Sequence, residues 1–247
     1  PLQAGHYYYK QISLKDGLPS TVRCILTDKQ GFVWIGTRSG LGRYDGHELK
    51  KYIHQANNPH SIPHNLIYQL IEDEQNNIWI LTDKGVTRYQ RQSDDFFIPT
   101  DETGNNIIAY SACLTDNGVL FGSKNKIFFY NYQDTSLRLL QTFDLEPNYN
   151  VTLLNLWDKR TLLCCSRWQG LLLLDLNTGK CRRPPFDCGK EIMNVLIDSQ
   201  KRIWVAPYNG GLNCLTRDGK LLATYTTHNS SLSNNVILSL AEREGEI

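Results

Sequence analysis

One apolar, glycine-punctuated phrase recurs along this chain, and it constrains the fold more than any single residue does. At its fullest it reads Gly31-Phe32-Val33-Trp34-Ile35-Gly36-Thr37-Arg38-Ser39-Gly40-Leu41-Gly42-Arg43-Tyr44-Asp45. A close copy runs Asn77-Ile78-Trp79-Ile80-Leu81-Thr82-Asp83-Lys84-Gly85-Val86-Thr87-Arg88-Tyr89. A third runs Arg202-Ile203-Trp204-Val205-Ala206-Pro207-Tyr208-Asn209-Gly210-Gly211-Leu212. Self-similarity at a fixed period marks a supersecondary unit that buries its faces against copies of itself.

Within a unit the pattern is that of short strands and tight turns. Val22-Arg23-Cys24-Ile25-Leu26-Thr27-Asp28 leads into Lys29-Gln30-Gly31, a hairpin signal. Phe32-Val33-Trp34-Ile35-Gly36 is apolar on both faces of the pleat, as a strand covered on both sides must be. Arg38-Ser39-Gly40 turns into a third strand and Asp45-Gly46 into a fourth. The place of Trp34 is taken in turn by Trp79, Leu120, Leu163 and Trp204, at spacings of 45, 41, 43 and 41 residues. Periods of this length with four strands each match propeller blades. Helical repeats fit poorly, because fully apolar or alternating runs of strand length dominate.

The expected fold is therefore all-β, a β-propeller of four-stranded antiparallel blades. Five full blades are expected at about 18–55, 62–99, 106–142, 151–185 and 191–227, within one propeller or partial-propeller domain. A strand over Tyr7-Tyr8-Tyr9-Lys10-Gln11-Ile12-Ser13 precedes them, and residues 232–247 repeat the opening of a unit as the start of a further blade. The array thus reads as a fragment of a larger, seven-bladed propeller. Trp34, Trp79, Leu120, Leu163 and Trp204 are its core positions. Burying one Trp removes roughly 200 Å² from water, worth about 5 kcal/mol before entropy is counted.

Several function classes are disfavoured at this level. Net charge is +1, with 26 basic and 25 acidic residues, which argues against nucleic-acid binding by this segment. No apolar run approaches the length of a membrane-spanning helix. The chain starts at Pro1, which is compatible with removal of an N-terminal segment and with secretion. Seven scattered cysteines form no Cys-x-x-Cys pair, so neither a zinc site nor a disulfide scaffold is expected. Cys24, Cys113, Cys165 and Cys214 fall in apolar strand patterns, where a free thiol acts as a small hydrophobe. Cys181 and Cys188 flank a short loop and could bridge it in an oxidising compartment.

The tandem Gly-Leu-Pro-Ser opening at 17–20, the Gly-Phe-Val-Trp-Ile-Gly-Thr core at 31–37 and the Gly-Leu-Gly-Arg-Tyr-Asp-Gly continuation at 40–46 resemble the two-component-regulator propeller repeats. The resemblance covers most of the chain and is strong in blades one, two and five. It weakens in blades three and four, where the Trp is lost. It implies the periplasmic, extracytoplasmic sensor segment of a hybrid two-component system, whose histidine kinase and receiver lie outside these residues. The partners it implies are further propeller and β-sandwich domains of a parent protein; separately, exposed strand edges on an open arc would invite pairing with a second copy as a homodimer.

No catalytic signature stands out: there is no Gly-x-Ser-x-Gly elbow, no His-Glu-x-x-His and no phosphate-cradling loop. No catalytic residue, metal site or cofactor is expected, and the segment is not read as an enzyme. Asp28, Asp73, Asp116, Asp158 and Asp198 recur at the ends of first strands, which points to turn chemistry. Asp94-Asp95 reads as a solvated turn, and the six histidines show no ligand spacing. Binding is argued from topology instead. In a four-stranded antiparallel blade, the entry to the first strand and the loop between strands two and three share one face. That places Arg38, His64, Lys84, Lys124, Arg167, Trp168, Tyr208 and Asn209 together as candidate ligand contacts. Rings stack on the apolar faces of sugars, while Arg and Lys suit carboxylate or sulfate groups, so an oligosaccharide or other small ligand is expected. The competing readings are a lyase-type propeller enzyme and a purely structural or dimerising propeller.

Overall fold

The computed structural model describes residues 21–143, 149–242 and 245–247. Among them there is no helix, and twenty strands form five four-stranded sheets. Blade one is β1 (Val22–Thr27), β2 (Val33–Thr37), β3 (Leu41–Tyr44) and β4 (Leu49–Tyr52). Blade two is β5 (Ile67–Glu72), β6 (Ile78–Thr82), β7 (Gly85–Gln90) and β8 (Asp95–Phe97). Blade three is β9 (Ser111–Thr115), β10 (Gly118–Gly122), β11 (Lys126–Asn131) and β12 (Leu137–Thr142). Blade four is β13 (Leu153–Leu156), β14 (Thr161–Ser166), β15 (Gly170–Asp175) and β16 (Cys181–Arg182). Blade five is β17 (Ile192–Ile197), β18 (Ile203–Pro207), β19 (Leu212–Leu215) and β20 (Leu221–Tyr225). Each sheet keeps chain order from one edge to the other, as successive antiparallel hairpins require.

The chain divides into two compact units. The first holds blade one and most of blade two, through Asp83 and again over Thr87–Phe97; the second holds Lys84–Val86 and everything from Ile98 onward. In the first unit a single core joins the two blades. Trp34, Leu41 and Tyr52 pack with Ile67, Ile78, Ile80, Tyr89 and Phe96. The Trp34 and Tyr89 rings meet edge to face, with centroids 4.7 Å apart. In the second unit blades three and four share a core around Leu120, Tyr149, Leu162 and Leu174. Blades four and five share another around Leu163, Leu173, Val195 and Val205. The second strands are buried along nearly their whole length, β6 and β10 at every residue, which is what apolar character on both pleat faces anticipated.

Three sequence expectations need comment. The strand at 7–13 lies outside the described residues. The opening of a further blade at 232–247 does not form a strand in its described part. Asn235 O accepts from Gly211 N at 2.9 Å, but no strand ladder follows among the described residues; Leu232, Ile237 and Leu240 instead pack as an irregular segment against Trp204 and Leu212. The Cys181–Cys188 bridge is not made, and all seven cysteines are free. Cys181 packs into the core between blades three and four, and Cys188 into the core between blades four and five. The two thiols are therefore separated by the sheet of blade four.

Candidate functional site

Three of the recurring aspartates, Asp28, Asp73 and Asp198, are structural, and their chemistry is richer than a turn. Trp34 Nε1 donates to Asp28 Oδ2 at 2.9 Å, Trp79 Nε1 to Asp73 Oδ2 at 2.8 Å and Trp204 Nε1 to Asp198 Oδ2 at 2.8 Å. The other carboxylate oxygen accepts backbone amides of the turn, from Gln30 and Phe32 on Asp28 and from Gln75 and Asn77 on Asp73. All three carboxylates are buried. Burial pushes the Asp28 carboxyl up, but the Trp34 indole, the Phe32 amide and Arg91 outweigh it and hold the group below the usual carboxylate range. An acid so held stays ionised and is no proton donor near neutrality. Asp94 is likewise no simple solvated turn. It accepts from Tyr52 Oη at 2.6 Å, Tyr89 Oη at 2.7 Å and Arg43 Nη1 at 3.3 Å, and it pairs with Lys50. It ties blade one to blade two within the first unit.

The thiols are no better placed for chemistry. Burial pushes Cys24 up to about 11, Cys113 to about 12 and Cys188 to about 11, so each is a protonated thiol at neutral pH. Among the described residues no group of three or more His, Cys, Asp or Glu is placed to hold a metal ion.

In the second unit, each blade's entry is laced to the loop of the blade before it. Val86 N donates to Ile107 O, Val151 N to Ser123 O, and Ile192 N to Arg167 O at 3.0 Å. Lys124 lies exposed beside Asn150, with which it forms an isolated bridge. Tyr208 N in turn donates to Glu191 O at 2.8 Å, which brings the β18–β19 loop against the same entry. Arg167, Trp168, Tyr208 and Asn209 therefore lie on neighbouring loops. Trp168 is 62% exposed and Tyr208 54%, so neither ring is spent on a core. The Arg167 guanidinium lies 5.5 Å from the Trp168 ring centroid and reaches Met193 Sδ at 3.3 Å. Gly170 closes this tight loop with a φ of 77°, and a Cβ there would stand 2.9 Å from Gly189 O. Lys84 is exposed at the start of the second unit. In the first unit Arg38 is exposed on the β2–β3 loop, while His64 is half-buried and accepts from Leu66 N through Nδ1.

Sequence reading missed the wall beside Trp168. The connection from β16 to β17 encloses a cleft of about 670 Å³ lined by Leu171, Arg183, Phe186, Asp187 and Lys190. Arg183 Nη1 donates to Gln169 O at 2.8 Å and Leu171 O at 3.1 Å, which fastens this wall to the Trp168 loop. The basic run Lys180-Cys181-Arg182-Arg183 was the only available signal. Two cations, a stack-capable indole and a cleft of this size can take a flat polar ligand that carries negative charge.

Comparison with known proteins adds to this geometry. Residues 16–39 and 61–84 match the two-component regulator propeller repeat. Histidine kinase P4 of Formosa agariphila is 43% identical over 58 residues, which are 23% of this chain and 4% of that protein. Among solved structures, an extracellular domain described as part of a hybrid two-component system of B. thetaiotaomicron superposes with a TM-score of 0.72 at 20% identity, over 92% of this chain and 33% of that one. PorZ, a surface component of the type-IX secretion system of Porphyromonas gingivalis, gives 0.66 at 18% identity, over 91% and 36%. The chain thus spans about a third of these solved structures, and far less of the kinase. Its five four-stranded antiparallel blades and the shared fold make it a β-propeller, in which residues 16–39 and 61–84 match the two-component-regulator propeller repeat.

Proposed function

We propose that this chain is the ligand-sensing propeller segment of an extracytoplasmic receptor in a hybrid two-component system, with the histidine kinase elsewhere in a parent protein. The repeat match and the fold shared with an extracellular domain described as part of a hybrid two-component system support the class. The observation that carries a binding role is Trp168. A large apolar ring held 62% exposed on a glycine-closed loop, with Arg167 beside it and a cleft behind it, has a cost that ligand stacking offsets. The ligand class that fits is an oligosaccharide fragment bearing carboxylate or sulfate groups. Its sugar faces stack on Trp168 and Tyr208, and its charge meets Arg167 and Lys190. Signalling requires that this ligand prefer one of two receptor states.

Calorimetric titration with acidic and neutral oligosaccharides tests the reading. The expected result is binding of an acidic fragment that Trp168→Ala weakens about tenfold or more, an effect of ~1.4 kcal/mol. Silence across the panel, or equal binding by Trp168→Ala, would sink it. Turnover of the sugar would favour a lyase instead.

A further inference from the structure

The other end of the second unit's blades, where the β9–β10, β13–β14 and β19–β20 turns emerge, holds a second cleft of about 610 Å³. Asp116, Asn117, Trp157, Asp158, Lys201 and Arg217 line it. The Arg217 guanidinium lies 4.8 Å from the Trp157 ring centroid. Trp157 is itself stacked on Phe186, with centroids 6.5 Å apart and planes 25° from parallel, so the ring that supports the arginine is held in place. Arg217 Nε and Nη2 are buried and have no hydrogen-bond partner. These two nitrogens form the side-on edge of the guanidinium, the fork whose spacing matches both oxygens of a carboxylate. A buried donor pair without an acceptor is costly, and an arriving acceptor recovers that cost.

The carboxylates around the arginine do not fill this role. Asp158 is exposed and turns Oδ1 to the Arg160 amide at 2.8 Å, and Asp116 is exposed on its two-residue turn. Asp158 also accepts from Thr161 and feels the charge of Arg217, yet, like Asp116, it keeps lone pairs toward the cleft that can accept from hydroxyl groups. Lys201, held with a φ of 63°, adds positive charge on the cleft's blade-five side. One bidentate cation flanked by two hydroxyl acceptors selects a ligand that carries a carboxylate and hydroxyls on one small skeleton.

We propose that this cleft is a binding site for a small hydroxylated carboxylate. The carboxylate pairs with the Nε–Nη2 edge of Arg217, and the ligand's hydroxyls donate to Asp116 and Asp158. That edge is buried in the free protein, so binding includes a turn of the Arg217 side chain that brings it to the ligand. The site is separate from the Trp168 loop and does not depend on the sensing role proposed above.

The test uses gluconate as probe, sorbitol as its uncharged counterpart and sulfate as a compact anion. Calorimetry on the whole chain should show gluconate binding, weaker sulfate binding and no sorbitol binding. Arg217→Lys keeps the charge but loses the fork, and should weaken gluconate about tenfold or more. The Arg217→Lys comparison is repeated in the Trp168→Ala background, which removes any gluconate held at the other cleft. Because Arg217 supports packing, a second measurement uses the unsubstituted chain. Its Trp157 indole N–H resonance, assigned by its loss in Trp157→Phe, should shift with gluconate and stay fixed with sorbitol. No gluconate binding, parent-like affinity in Arg217→Lys, equal response to sorbitol, or an unmoved Trp157 signal would each overturn the proposal.

Discussion

Blades one, two and five differ from blades three and four in one contact, and the difference explains where polar chemistry is exposed on this protein. In the first group an indole N–H caps the aspartate that ends the first strand, and the carboxylate is buried. In blades three and four Leu120 and Leu163 stand at that place, and Asp116 and Asp158 are exposed. A leucine offers no donor, and a buried carboxylate without one is too costly to keep. The turn changes with it. Asp and Trp are six residues apart in the clasped blades, whereas Asp116 lies four residues before Leu120 and Asp158 five before Leu163. The longer turn carries a residue in the left-handed region, Gly31, Asn76 or Lys201, three places after the aspartate, and this folds the backbone amides over the carboxylate. Blade three closes with Thr115 paired directly to Gly118 and has no room for that arrangement. Loss of the clasp has turned two structural acids into surface acceptors.

The sharpest way to break the comparison is Trp79→Ala. Trp79 is fully buried, and the variant should lose about 3–5 kcal/mol in a denaturant melt. A midpoint close to the parent's would end the packing role. Asp73→Ala comes next, at about 2–3 kcal/mol, because it leaves the Trp79 N–H and the turn amides buried without an acceptor. A smaller effect concerns pH. Burial pushes the Asp94 carboxyl up, but Lys50, Tyr52, Tyr89 and Arg43 prevail and bring it to about 2. Its unfolded value is about 3.9, so its contribution is complete above that pH and is lost as pH falls toward about 2. The parent should lose stability over that window more steeply than Asp94→Asn, and identical acid profiles would refute the hub. The smallest effect is expected for Asp116→Ala, within ~0.5 kcal/mol, in contrast to its counterpart Asp73. A loss as large as that of Asp73→Ala would erase the distinction between the two kinds of blade.

Much of this was legible in one dimension. The blade period, the strands around Trp34, Trp79 and Trp204 and the replacement by Leu120 and Leu163 follow from spacing and apolar pattern, because a strand's periodicity is local. The Asp–Trp clasp was also within reach, since its six-residue spacing recurs in the three Trp blades and in neither of the others; reading the aspartates as turn residues alone concealed it. Asp94 could not be read this way. Its partners Arg43, Lys50 and Tyr52 belong to the preceding blade, more than forty residues away.

By itself, then, the sequence determined an all-β chain of four-stranded blades, the residues that fill each blade's core and the loops that could bear function. Local hydrogen bonding and alternation encode those features within a few residues. Only the tertiary structure decided that Cys181 and Cys188 face different cores, that Arg183 walls a cleft beside Trp168, and that Arg217 lies over Trp157 with its fork unpaired. Each of these depends on which blade packs against which, and a contact between distant residues leaves no period in the chain to read.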